Sequence, residues 1–168
     1  VLTAAGLSLT PSPWMAIVFA VMGISTLIRM ARWQDRGIWG VPLLWSLHLA
    51  FLWLALAPFG MALWHLGIID SLSLPLHALT IGAMGGLILA MIARVTLGHT
   101  GRPLQPPAAM SVAFIALNAS ALSRVMMSTG ASSWLLWLSG ALWILAFGLY
   151  LFYYARMLLE PRIDGMSG

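Results

Sequence analysis

The chain has 168 residues, 61% hydrophobic and 7% charged, with eight arginines, no lysine, four acids, no cysteine and a formal charge of +4. Soluble domains carry about 25% charged residues, so a water-soluble domain is excluded. The lack of cysteine excludes a disulfide framework, a thiolate metal site and a cysteine nucleophile. The arginines stand singly between apolar stretches rather than on one basic, aromatic-laced surface, so no nucleic acid partner is expected.

Charged residues divide the sequence into intervals, five of them longer than 20 residues: 1–28, 37–69, 71–93, 103–123 and 125–155. A membrane-spanning helix needs about 20 mostly apolar residues, and these intervals lack the ~10-residue alternation of a β-barrel. The expected fold is all-α, a polytopic transmembrane helical bundle in the lipid bilayer. It forms a single region over 1–168, with five spans near 13–31, 41–64, 74–97, 108–127 and 133–154.

Val1 to Thr10 reads as the apolar end of an earlier segment, which makes the chain the C-terminal part of a longer polytopic protein. Pro13 opens the first span, where a missing N–H costs little, and Arg29, Arg32 and Arg36 follow its end. The second span carries His48 early, Pro58-Phe59-Gly60 in its interior and His65 beyond its end; the proline is expected to kink it.

The third span opens at Pro75 and His77 and carries Ala78, Gly82, Gly86 and Ala90 at four-residue spacing. Such a ladder admits a second backbone or a flat ligand face, and helix packing is its ordinary use. On a regular helix His77 shares a face with Ile81, Met84, Ile88 and Val95, while Gly86 points the opposite way. The fourth span follows Pro106-Pro107 and holds Asn118, Ser120 and Arg124; the fifth ends among Tyr150, Tyr153 and Tyr154.

Arg29, Arg32, Arg36, Arg94, Arg102, Arg156 and Arg162 fall in alternate connections and the tail, and Arg124 alone does not. The positive-inside rule therefore places Val1 outside and Gly168 in the cytoplasm. Trp33, Trp39, Tyr150, Tyr153 and Tyr154 then mark the inner interface, and Trp14, Trp64, Trp134 and Trp137 the outer one.

An unpaired ionisable side chain at membrane depth costs about 2.5–3.5 kcal/mol or more, so each one is a functional candidate. His48 and His77 are candidate metal ligands, although a neutral imidazole also satisfies itself on a neighbouring Ser or Thr. Helical rise separates the two by about 20 Å in depth, so one iron does not take both. His65 matches His77 better in depth. His99 approaches His48 only if residues 97–107 fold back, which Gly98 and Gly101 permit.

Arg124 lies at the level of His77 and either snorkels outward or pairs with an anion such as a haem propionate, which a guanidinium holds in bidentate fashion. Arg102 faces the same choice inside. The eleven methionines show no dense repeat and read as core filler.

His77-Ala-Leu-Thr-Ile-Gly-Ala through Ala93-Arg94-Val-Thr-Leu-Gly-His99-Thr-Gly-Arg102-Pro-Leu resembles the signature of the NnrS family, and Pro42-Leu-Leu-Trp-Ser-Leu-His48-Leu-Ala-Phe is similar to the helix preceding it. The likeness is closest over residues 42–104. It implies a bacterial inner-membrane protein that binds haem, of b type, and copper, and that belongs to the nitric oxide response, with nitric oxide as a ligand. Members have more spans than five, so further N-terminal spans would complete the site.

Carried over by position, His48, His77 and His99 are the matching histidines and Arg94 and Arg102 the matching arginines. With Arg124 and His65 added from their membrane depth, the cofactor-binding candidates are His48, His77, His99, Arg102 and Arg124, and the metal candidates His77, His48, His99 and His65. Two other readings stay open. In a transporter or channel, His77, Arg124, Asn118 and the broken second span line an aqueous path; in a non-catalytic scaffold every histidine is structural. Asp70 lies in a connection and Glu160 and Asp164 in the tail, so no general acid marks an enzyme.

Overall fold

The protein is described by a computed structural model covering residues 10–163 and 165. The reading of the first nine residues as the end of an earlier segment lies outside the described residues, as do Asp164 and Gly168. Five helices are long and apolar enough to cross a membrane: α1 (Pro13–Arg32), α2 (Pro42–His65), α3 (Ser73–His99), α4 (Ala109–Ser128) and α5 (Trp134–Leu159). No strand occurs among the described residues. The expected spans hold within one or two residues, except that α5 runs on to Leu159.

Local chemistry accounts for these elements. A chain surrounded by hydrocarbon must satisfy every backbone N–H and C=O within itself, which selects helices. Proline stands in the first turn of α1 and of α2, where no intrahelical N–H bond is lost. A 3-10 turn, Arg36–Gly40, joins them, with the Asp35 carboxylate accepting the Gly37 N–H at 2.7 Å. α2 stays helical through Pro58 in its interior. The missing N–H costs it one bond, to the Leu54 carbonyl.

The helices lie side by side in chain order. Among the described residues α1 packs only on α2, α3 sits between α2 and α4, and α5 closes over α4 and the C-terminal half of α3. The core fills the arginine-rich half of the bundle, with Leu89, Met110, Phe114 and Leu117 fully enclosed.

Tyr150 and Tyr154 belong to this core rather than to an interfacial belt. Their rings stack at 4.8 Å, and the Tyr150 hydroxyl bonds Thr96 Oγ1 across to α3 at 2.9 Å. Trp64, 8% exposed, is likewise interior, while Trp14, Trp33, Trp39, Trp134 and Trp137 are exposed as expected of anchors. Ring counting by depth does not separate an aromatic that faces lipid from one that faces a neighbouring helix.

α3 is not the regular helix that 100° periodicity assumes. A single α turn, Ser73–His77, passes into a π-helix, Ala78–Gly85, and then into an α-helix, Gly86–His99. Small residues make the wide segment possible: Gly82 lies under the indole of Trp53 on α2, and a Cβ on Gly86 would sit 2.9 Å from the Ala50 Cβ. The ladder therefore receives a flat face from the chain's own α2. Trp53 Nε1 donates to Asn118 Oδ1 on α4 at 2.9 Å, so one ring bridges three helices.

The π turns also split the expected histidine face. His77 and Ile81 look onto α4 and α5, whereas Met84, Ile88 and Val95 beyond the π segment are exposed.

Reciprocal serine bonds join α4 to α5: Ser120 Oγ donates to the Ser139 carbonyl at 2.8 Å, and Ser139 Oγ donates to the Ser120 carbonyl at 2.9 Å. Interhelical bonds of this kind in membranes average about 0.6 kcal/mol and reach about 1.7. Ser139→Ala is expected to lower stability within that range, read as reversible unfolding in mixed micelles.

Candidate functional site

The four histidines occupy four different environments. On α2, His48 Nδ1 lies 3.1 Å from the Leu44 carbonyl one turn back, and its Nε2 is buried without a partner. On α3, His77 Nδ1 lies 2.7 Å from the Ser73 carbonyl and 2.9 Å from Ser73 Oγ, which reaches Ser128 Oγ on α4 at 3.3 Å. A carbonyl only accepts, so in both rings the neutral tautomer assigned from these bonds carries its proton on Nδ1 and presents a lone pair on Nε2. Metal-ligating histidines are held in this way, with one nitrogen oriented by an acceptor and the other free to coordinate.

His65 is held in the opposite sense. Its Nδ1 accepts the Ser12 backbone N–H at 3.1 Å, so the neutral ring has its proton, not a lone pair, at Nε2. The ring is 2% exposed, stacks on Phe19 at 5.5 Å and meets Trp64 edge-on at 4.8 Å. It seals the seam between α1 and α2 where the first orphan N–H groups of α1 need acceptors. The expected pairing of His65 with His77 does not form, because His77 faces α4 and α5.

His99 does not fold back toward His48. Helix α3 continues through His99, and the reversal comes afterwards at Gly101, whose φ is +71°. The exposed His99 lines a surface hollow of about 330 Å3 with Arg94, Met91 and Leu104.

The two candidate arginines also differ. Arg102 Nη2 meets the Glu160 carboxylate at 2.9 Å, and Arg156 Nε meets the other oxygen at 2.7 Å. With the Ile163 N–H donating to the Thr100 carbonyl, this pair ties the tail to the α3–α4 connection. The Arg156 hydrogen bond above all holds the Glu160 carboxyl below its ordinary pKa; desolvation, the next largest effect, opposes it, and the charges of Arg156 and Arg102 and the Arg102 hydrogen bond add to the lowering. Its contribution to tail docking is therefore lost as pH falls through that lowered value.

Arg124 is partly exposed. Its Nη1 is buried without a partner, and it lines a cavity of about 280 Å3 with His77, Ser120, Ser139, Gly140 and Trp143.

Among the described residues no group of three His, Cys, Asp or Glu side chains is placed to hold a metal ion. Each candidate site offers one imidazole from this chain. Nor do the residues proposed for an aqueous path share a cavity: His77 and Arg124 line one, Pro58 another, and Asn118 neither.

Sequence reasoning passed over Trp53, Ser73 and Ser139. Serine four residues before His77 was a usable sign of an orienting partner, since positions i and i+4 meet on a helix. Nothing in the sequence linked Trp53 to Gly82.

Searches of curated proteins and of solved structures return no match. A family model described as NnrS protein matches residues 1–162, well beyond the 42–104 stretch that carries the visible motifs. The chain, a five-helix membrane-spanning bundle with two imidazoles presented through Nε2, belongs to the NnrS family.

Proposed function

We propose that the chain is part of a haem- and copper-binding protein of the bacterial inner membrane that acts in the nitric oxide response, with its arginine-rich end in the cytoplasm. Family membership supports the nitric oxide role. The distribution of seven of the eight arginines supports the orientation.

The observation that carries the cofactor reading is His48. Its Nε2 lone pair is buried with nothing to accept from, while the Leu44 carbonyl fixes the ring. Burying an unpaired polar atom is costly, and coordination to a metal offsets that cost. His77 is a second imidazole of the same tautomer, beside a guanidinium.

An imidazole oriented by a carbonyl with its other nitrogen unpartnered suits a haem ligand, and His48 or His77 would hold the group. Haem iron supplies the centre at which nitric oxide binds. The chain's own contribution is to orient each ring through a backbone carbonyl and, at His48, to keep water from the coordinating nitrogen. The described residues build no multi-donor site for copper, so no copper ligand is assigned to them. His99 and Arg94 are exposed at the arginine-rich end, and Arg102 Nη1 is buried there without a partner among the described residues.

The test is a visible spectrum of the complete polypeptide with His48→Ala and His77→Ala. Loss or displacement of the Soret band is expected, with haem content falling by about half or more for each true ligand. An unchanged Soret band in both variants removes both as ligands. A colourless wild-type protein, expressed with ample haem supply, removes the cofactor reading entirely.

A further inference from the structure

We infer that the cavity between α3, α4 and α5 is a binding site for a carboxylate-class anion, held by Arg124. The guanidinium lies in a hollow between α3, α4 and α5 with Nη1 buried, and no hydrogen bond or ion pair engages it among the described residues. The chain's described acids are elsewhere: Glu160 is engaged by Arg102 and Arg156, Asp35 caps the 3-10 turn, and Asp70 is exposed in the α2–α3 connection. Arg124 is partly exposed as a residue, but a guanidinium nitrogen that is shut from solvent and unpaired is unfavourable, and an anion in the cavity would compensate it.

The surrounding wall narrows the chemistry. Ser120 and Ser139 spend their hydroxyl protons on each other's carbonyls, so neither has a donor left for a ligand. His77 has its Nδ1 proton engaged by Ser73 and turns an acceptor toward the cavity. Arg124 is thus the one charged donor, with the Trp143 indole as a second, neutral one on the lining, and its planar fork matches a two-oxygen anion better than a single-atom halide.

At about 280 Å3 the cavity lies just below the ~300–1,000 Å3 of drug-sized sites. It takes a small free anion or one carboxylate limb of a larger ligand. This inference stands on Arg124 and its cavity and does not require the cofactor reading.

The experiment titrates sodium formate, with sodium chloride as control, into the complete polypeptide by isothermal calorimetry, in preparations with and without bound haem. Saturable formate binding is expected in at least one preparation. Arg124→Gln should weaken it by about tenfold or more, the loss of a charge-assisted bidentate contact, and Arg124→Lys by less.

Because Arg124→Gln risks misfolding, Gly140→Leu provides a second variant. Gly140 lines the cavity and a Cβ there meets nothing within 4 Å, so a leucine is tolerated by the helices and is expected to narrow the cavity and weaken binding. Formate binding in both preparations identifies a free anion as the occupant. Binding confined to haem-free protein, with a shifted propionate band in the resonance Raman spectrum of haem-loaded Arg124→Gln, identifies a cofactor carboxylate.

Formate binding that is absent from wild type in both preparations, or unaffected by Arg124→Gln and Gly140→Leu, overturns the inference. A colourless protein that still binds formate through Arg124 retains it while refuting the cofactor reading.

Discussion

Gly82→Leu is expected to abolish the native bundle. A Cβ at this position would lie 2.5 Å from Trp53 Cδ2 and 2.9 Å from Cδ1, closer than carbon atoms approach without something moving. What it meets is the body of a ring whose Nε1 is committed to Asn118, not the free end of a flexible side chain. Overpacking typically costs about 1–3 kcal/mol and occasionally more. Here displacement of the indole also strands the Asn118 carbonyl, a further ~1–3 kcal/mol.

The predicted loss is therefore about 3 kcal/mol or more, seen as failure to recover monodisperse protein in mild detergent. Gly82→Ala should be intermediate, and Trp53→Leu should rescue it, giving a positive coupling in a double-mutant cycle. Gly148→Ala is the control, since a Cβ there meets nothing within 4 Å. Equal damage from Gly148→Ala and Gly82→Ala would show that the Trp53 contact is not what the ladder serves.

His65→Ala should separate stability from cofactor content. The ring is almost fully enclosed between Phe19 and Trp64 and supplies the acceptor for the Ser12 N–H. Its removal leaves a cavity and an orphan donor. By comparison with buried aromatic truncations, which cost about 3–5 kcal/mol, a destabilisation of about 3 kcal/mol is expected, accompanied by detachment of α1. Because Nε2 carries the proton, the Soret band of protein that remains folded should be unchanged. A folded His65→Ala protein with lost or displaced haem absorption would make His65 a ligand and reverse the tautomer derived from Ser12.

The readable and unreadable parts of this site divide along one line. His48, His77 and Arg124 stood out because an ionisable group in an apolar run is costly wherever its neighbours are. Their roles depend on which atom faces which neighbour. His65 and His77 are matched in depth, yet one accepts from Ser12 and the other donates to Ser73, and they look in different directions. Arg124 seemed able to reach the outer surface by length alone, but α5 packs over it and places Ser139 and Gly140 across the cavity. The π segment escaped pattern analysis because hydrophobic periodicity is computed for 3.6 residues per turn and loses phase when the turn widens.

Five membrane crossings were inherent in the order of residues along the chain. Span length depends on hydrocarbon thickness, and a helix satisfies its backbone internally, so both are properties of consecutive residues. The seating of Trp53 on Gly82, the serine clasp of α4 and α5, the Ser12 bond to His65 and the burial of Arg124 Nη1 beneath α5 emerged from packing. Each pairs atoms on separate helices, and in a bundle apolar on every side no periodic stripe announces which faces will meet.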